Sequence, residues 1–277
     1  MSLKNPEEAY LSAAAAGEKR AGQTALRTLA LSFLGGAYIG MGGFFALRAT
    51  GGLPAAVWGT FGNLLFGGLF PIGLMLIVLT GAELFTGNCL TLAGAFFRGK
   101  IKFGAVLKNW IFSWIGNFGG AAFFAWAMVY ASGLIFETTA AGMPWAEKIV
   151  GIANAKTSLG FADAFLRGVL ANWLVCLAVS LAGASDTLPG KVLGLWPPVT
   201  AFVVMGAEHS IANMFFVPLG IFAGGDPFYT ASGGAPALAA SWETFAVANL
   251  LPVTLGNIVG GAIFAAGFHH LLYQKAK

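Results

Sequence analysis

The chain has 277 residues, of which 57% are hydrophobic and only 9% charged, and its formal net charge is +4. A soluble protein carries about a quarter charged residues, so this composition excludes an ordinary soluble domain and specifies an integral membrane protein. The positive balance falls mostly in tails and connections, which makes it a matter of membrane topology and not a nucleic-acid surface.

Residues 1–27 carry charges throughout and have no apolar core, so no cleavable signal peptide is visible, and they read as a cytoplasmic tail. Within it, PEEAYLSAAAAGEKR makes either a helix lying on the membrane or a solvated segment. Six charge-poor stretches long enough to span a bilayer follow, at roughly 28–47, 57–82, 106–135, 164–184, 192–222 and 244–271. They define one all-α transmembrane domain over 28–273, with both termini on the same side. Eleven of the 15 Lys and Arg fall on that side: Lys4, Lys19, Arg20 and Arg27 in the tail, Arg98, Lys100, Lys102 and Lys108 in the second connection, Lys191, and the terminal Lys275 and Lys277. The positive-inside rule makes that side cytoplasmic and the location the cell's plasma membrane. Arg48, Lys148 and Lys156 fall on the outer side.

Two stretches match, GAELFTGNCL at 81–90 and GAEHSIANMF at 206–215, each with an Asn five residues after the Glu, at Asn88 and Asn213. A second pair follows in the same order, GNFGGAAF from 116 and GNIVGGAI from 256. The chain therefore reads as two three-helix halves, about 28–136 and 164–273. Because three is odd, the second half enters the membrane from the opposite face, giving an inverted repeat. Residues 57–97 contain one charge, Glu83, and are too long for one helix but too short for two spans and a loop; 192–225 has the same character. The second and fifth helices are thus expected to be interrupted, at LFTGN and at HSIAN. Irregular backbone at that depth survives only where protein buries it or water lines it.

Ionisable groups at the bilayer centre cost about 2.5–3.5 kcal/mol each, so Glu83, Glu208 and His209 need a reason. The glutamates, with Asn88 and Asn213 beside them, are expected to be structural, a carboxylate accepting from the backbone N–H groups exposed at each break. His209 stands at the break itself and can donate a hydrogen bond or a proton to a passing anion. Thr86 either pairs with the imidazole or substrate, or caps backbone. Phe70, Leu74, Leu84, Phe85, Val175 and Phe202 are bulky enough to narrow a passage on either side of these polar groups. Lys156 is either a solvated charge or an attractor of anions, and Asn172 and Asn257 serve either interhelical bonding or substrate. Cys89 and Cys176 read as small buried hydrophobes. There is no metal-ligand cluster, nucleotide loop or triad, so no metal, no cofactor and no enzyme activity is expected.

LFTGN at 84–88, NWLVCLAV at 172–179, EHSIANMF at 208–215 and PVTLGNIVGG at 252–261 resemble the formate/nitrite transporter family over nearly the whole chain. The resemblance implies an aquaporin-like fold, a homopentamer and one pore through each protomer. It implies a central pore histidine at His209, with Thr86 as partner and Glu208 as support, an outer-vestibule lysine at Lys156 and pore asparagines at Asn172 and Asn257. Phe70, Leu74 and Phe202 would form one constriction, and Leu84, Phe85 and Val175 the other. The implied cargo is a small monovalent anion of a weak acid, formate foremost with nitrite or hydrosulfide as alternatives, moving together with protons. A neutral-solute channel of aquaporin type would instead carry Asn-Pro-Ala at both breaks, where this chain reads TGN and IAN.

Overall fold

The computed structural model describes residues 3–140 and 142–273, so Lys275 and Lys277 lie outside the described residues. The described residues form helices and loops with no β-sheet. In chain order the main helices are α1 (Pro6–Ala21), α2 (Ala25–Thr50), α3 (Phe61–Thr80), α4 (Phe85–Phe97), α5 (Phe103–Ala131), α6 (Pro144–Thr157), α7 (Phe161–Gly183), α8 (Leu188–Val204), α9 (Ser210–Gly224) and α10 (Trp242–Tyr273). Five of them, α2, α3, α5, α7 and α10, are long and apolar enough to cross a membrane. The expected span at 192–222 is not one helix. It is α8 and α9, two shorter apolar helices separated by residues 205–209.

Both interruptions turn on the glycine of the repeated Gly-Ala-Glu. Gly81 and Gly206 sit at φ +81° and +70°, left-handed backbone that stops the preceding helix and that a side chain would strain. The breaks come earlier than LFTGN and HSIAN suggested: the chain is irregular over 81–84 and 205–209, and helix resumes at Phe85 and Ser210. Glu83 and Glu208 therefore lie within the breaks, whereas Thr86, Asn88 and Asn213 belong to the first turns after them. Upstream, Pro71 supplies no N–H and α3 bends there, at Phe70.

Within each half, one long helix lies against another at backbone distance. A Cβ on Gly120 of α5 would collide with the carbonyl oxygen of Phe33 on α2, and a Cβ on Gly260 of α10 with that of Val169 on α7. Only glycine permits this approach, the contact that replaces the hydrophobic drive inside a bilayer. The two close pairs enclose α4 and α9, almost all of whose side chains are buried. The helix α1 neither floats on the membrane nor extends into solvent. It buries Tyr10, Ala14 and Gly17, with Gly17 so near the Thr91 carbonyl that no side chain would fit, so α1 is docked on α4. It begins with a capping box between Asn5 and Glu8, and α2 starts at Ala25, so the last three residues of the tail expected over 1–27 are already helical.

Candidate functional site

Each buried glutamate rests in a cradle of asparagine amides, and the two cradles repeat bond for bond. Asn88 Nδ2 donates to Glu83 Oε2 (2.9 Å) and to Asn109 Oδ1 (2.8 Å), and Asn109 Nδ2 donates back to Glu83 Oε2 (3.1 Å). In the other half Asn213 Nδ2 donates to Glu208 Oε2 (2.6 Å) and Asn249 Oδ1 (2.7 Å), and Asn249 Nδ2 to Glu208 Oε2 (3.2 Å). The backbone of each break is tied down in the same doubled way. Asn117 donates to the carbonyls of Ser32 and Glu83 and accepts from Phe85 N; Asn257 donates to those of Gly168 and Glu208 and accepts from Ser210 N. These bonds satisfy backbone groups that would otherwise be bare at the helix ends.

The halves differ at one carboxylate oxygen. Glu208 Oε1 accepts from Lys156 Nζ at 2.9 Å, in a pair whose side chains are 17% and 5% exposed, whereas Glu83 Oε1 is buried with no hydrogen-bond partner among the described residues. Lys156 is thus not a loose loop charge. It reaches in from α6 to complete the Glu208 cradle, and its backbone carbonyl accepts from Asn249 Nδ2.

His209 occupies the N-cap of α9, and the geometry fixes its tautomer. Its Nδ1 accepts from Ala212 N (3.0 Å), so on the neutral ring the proton resides on Nε2, which donates to Thr86 Oγ1 at 2.8 Å. The ring also lies 5.8 Å from that of Phe202 in a stacked arrangement, which fixes its plane. The residue at the same place in the first half is Leu84, the N-cap of α4, which offers no side-chain bond. The ionisable group of the centre therefore comes from the second half only, and the first half contributes the Thr86 hydroxyl.

Three spaces run in series through the protein. A cavity of about 470 Å³ is bordered by Lys148, Lys156, Glu208, His209, Phe70 and Phe202. Beyond Phe70, Phe202 and His209 lies a gap of about 10 Å³, walled also by Val175 and closed on its far side by Leu74 and Leu84. Leu74 and Leu84 then border a third space of about 160 Å³, whose wall includes Arg20 of α1, Thr91 and Lys191. A gap of this size is about one water probe across, so an ion passing it sheds its hydration shell.

This layout regroups the expected constrictions. Phe70 and Phe202 stand together, rings 6.0 Å apart and edge-on, but Leu74 lies with Leu84 on the opposite side of the gap, and Val175 lines the gap itself. Phe85 borders none of the three spaces; it packs edge-on against Trp110, with centroids 6.3 Å apart, while Ile39 and Val199 help to wall the gap. Asn172 and Asn257 border none of them either. Asn172 donates to the carbonyls of Thr86 and Asn257, which places both asparagines in the support of the site.

The profile of the formate/nitrite transporter family matches residues 7–271. The chain belongs to that family. It is 40% identical over 289 aligned positions to the "Probable formate transporter" of Methanothermobacter thermautotrophicus, covering 99% of this chain and 98% of that protein. It is 35% identical to the formate channel FocA of Escherichia coli (strain K12), again over 99% and 98% of the two chains. A solved structure described as a pentameric formate channel with formate bound superimposes with a TM-score of 0.78 at 34% identity, covering 90% of this chain and 97% of that one. The chain is accordingly a helical membrane protein of a transport family and not an enzyme.

Four further residues belong to the support beyond those expected from the sequence: Asn109, Asn117, Asn249 and the backbone anchor at Gly168. The signal was present. Asn117 is the Asn of the first matched Gly-Asn, and eight residues before each Gly-Asn asparagine stands another Asn, 109 and 249, so extending the repeat backwards finds both cradles.

Proposed function

We propose that the three spaces form one pore, which carries a small monovalent anion of a weak acid, formate foremost, together with a proton shared at His209. The observation that supports this most is the His209 Nε2–H held at a gap whose other walls are apolar. A bare carboxylate meets a penalty of several kcal/mol in such a gap, whereas its neutral acid does not. The Nε2–H, with the Thr86 hydroxyl beside it, is the donor that an arriving oxyanion meets; a proton taken up from the outer solution passes between imidazole and carboxylate, leaves the neutral Nε2–H ring behind, and lowers the charge that has to pass Leu74 and Leu84.

Formate is favoured over nitrite and hydrosulfide by the names of the relatives and by the formate bound in the related structure. The pentamer of that structure supports the same assembly here. With α8 and α9 counted together as one crossing, the chain makes six, with both termini cytoplasmic by the distribution of Lys and Arg and the wide cavity open to the outside of the plasma membrane. Flux of formate, nitrite and hydrosulfide into liposomes containing the purified protein tests the assignment. Formate is expected to be fastest, and a protein that carries nitrite or hydrosulfide but excludes formate would overturn the choice of cargo.

A further inference from the structure

The wide cavity holds two lysines in different electrical circumstances. Lys156 is spent: its ammonium is in contact with Glu208, and the pair contributes no net charge to the space around it. Lys148 lies eight residues earlier on the same helix, about 12 Å along the axis, with Ile152 between them on the cavity side. Its Nζ donates to two uncharged oxygens, the Thr50 carbonyl (2.9 Å) and Thr50 Oγ1 (3.0 Å), and no carboxylate lies within ion-pairing distance among the described residues. An ammonium has three N–H groups, so one is left over. Half-burial pushes its pKa down from the usual lysine value, as expected for a cation withdrawn from water without a counter-ion. The Phe66 ring lies under the ammonium as a weak cation–π neighbour, 5.7 Å from Nζ, and Ile152 adds an apolar wall beside it.

We propose that Lys148 is a separate anion subsite at the mouth of the wide cavity, where a monovalent carboxylate lodges on the free N–H before moving inward to the Lys156–Glu208 pair and His209. The site rests on the reading of the cavity as an entrance. Its logic is electrostatic: a cavity whose charge sum is set by one unpaired lysine concentrates anions, and removing that charge weakens capture without touching the gap where passage is decided. The same arrangement accepts a larger carboxylate with an apolar body, such as benzoate. That ligand would fit the wide cavity, fail at the gap, and obstruct formate from outside.

Two measurements on the full-length protein in liposomes test the subsite. In the first, formate flux is compared for wild type, Lys148→Gln and Lys148→Arg. Gln keeps a donor for Thr50 but loses the charge, so the half-saturating concentration should rise roughly tenfold, with any change in maximal flux smaller than that, and Arg should restore it. A structural tether alone would instead lower maximal flux and leave half-saturation unchanged. The second measurement is independent of transport: modification of Lys148 by an amine-reactive reagent, followed by mass spectrometry, with formate or benzoate present. Both anions should slow modification at Lys148 and spare a surface lysine such as Lys100. Unchanged half-saturation in Lys148→Gln together with unprotected modification overturns the subsite. Protection by anions in a protein that carries no formate would retain the subsite and overturn the assigned cargo.

Discussion

Replacing Asn257 by alanine tests whether the break that presents His209 is held in place from α10. The side chain makes three bonds, to the carbonyls of Gly168 (2.8 Å) and Glu208 (3.0 Å) and from Ser210 N (2.8 Å), and all three groups are buried. Interhelical hydrogen bonds in membrane proteins average about 0.6 kcal/mol where the freed groups find other partners, which sets a floor of about 2 kcal/mol for the three. Buried groups left without partners cost about 2 kcal/mol each, which sets a ceiling of about 6 kcal/mol. Asn257 is fully buried and borders none of the three spaces, so the effect should fall in the upper part of that range. At roughly 2–4 °C per kcal/mol for a chain of this size, thermal unfolding of Asn257→Ala in detergent should come at least about 4 °C below wild type. Asn117→Ala, which removes the mirrored set of bonds, should do the same. Because Ser210 directly follows His209, Asn257→Ala should also lose most formate flux. Both variants melting within about 1 °C of wild type would refute the view that these amides hold the breaks.

Removing Lys156 leaves a carboxylate oxygen of Glu208 buried and unpaired, so Lys156→Met should destabilise by about 3–5 kcal/mol, and the double variant Lys156→Met/Glu208→Gln should recover most of the loss in a denaturant titration. Leu84→Ala should widen the gap and speed formate while admitting larger carboxylates such as lactate. Phe85→Ala, one residue away but facing Trp110, should cost about 3–5 kcal/mol of stability with no broadening of the cargo, and liposome flux with both anions separates the two.

The contrast between those neighbours shows where sequence reasoning stopped. Membrane class, the paired halves, the interrupted helices and the identity of Glu83, Glu208 and His209 were all legible, because charge in an apolar run and a repeated Gly-Ala-Glu are properties of composition and order. The facing of Leu84 and Phe85 was not. The chain changes from extended at 84 to helical at 85, and that change of backbone sends adjacent side chains to opposite sides. The same change explains Ser210, which leaves the pathway one residue after His209. Lys156 illustrates the other limit: its partner is 52 residues away, and only the docking of α6 over the second break brings the two together. The docking of α1 was hidden for a similar reason, since Gly17 carries no periodic signal and its meaning lies in the Thr91 carbonyl pressed against it.

The account turns on the Nε2–H of His209, and formate flux through wild type and His209→Asn between about pH 5 and about pH 8, corrected for leakage into protein-free liposomes, tests it most directly. Wild-type flux should rise as the pH falls, and the slope should flatten in His209→Asn, whose amide can donate a hydrogen bond but cannot share a proton. A variant that keeps the wild-type slope would contradict the account, leaving His209 as a cap on α9 and the proton to cross by another route.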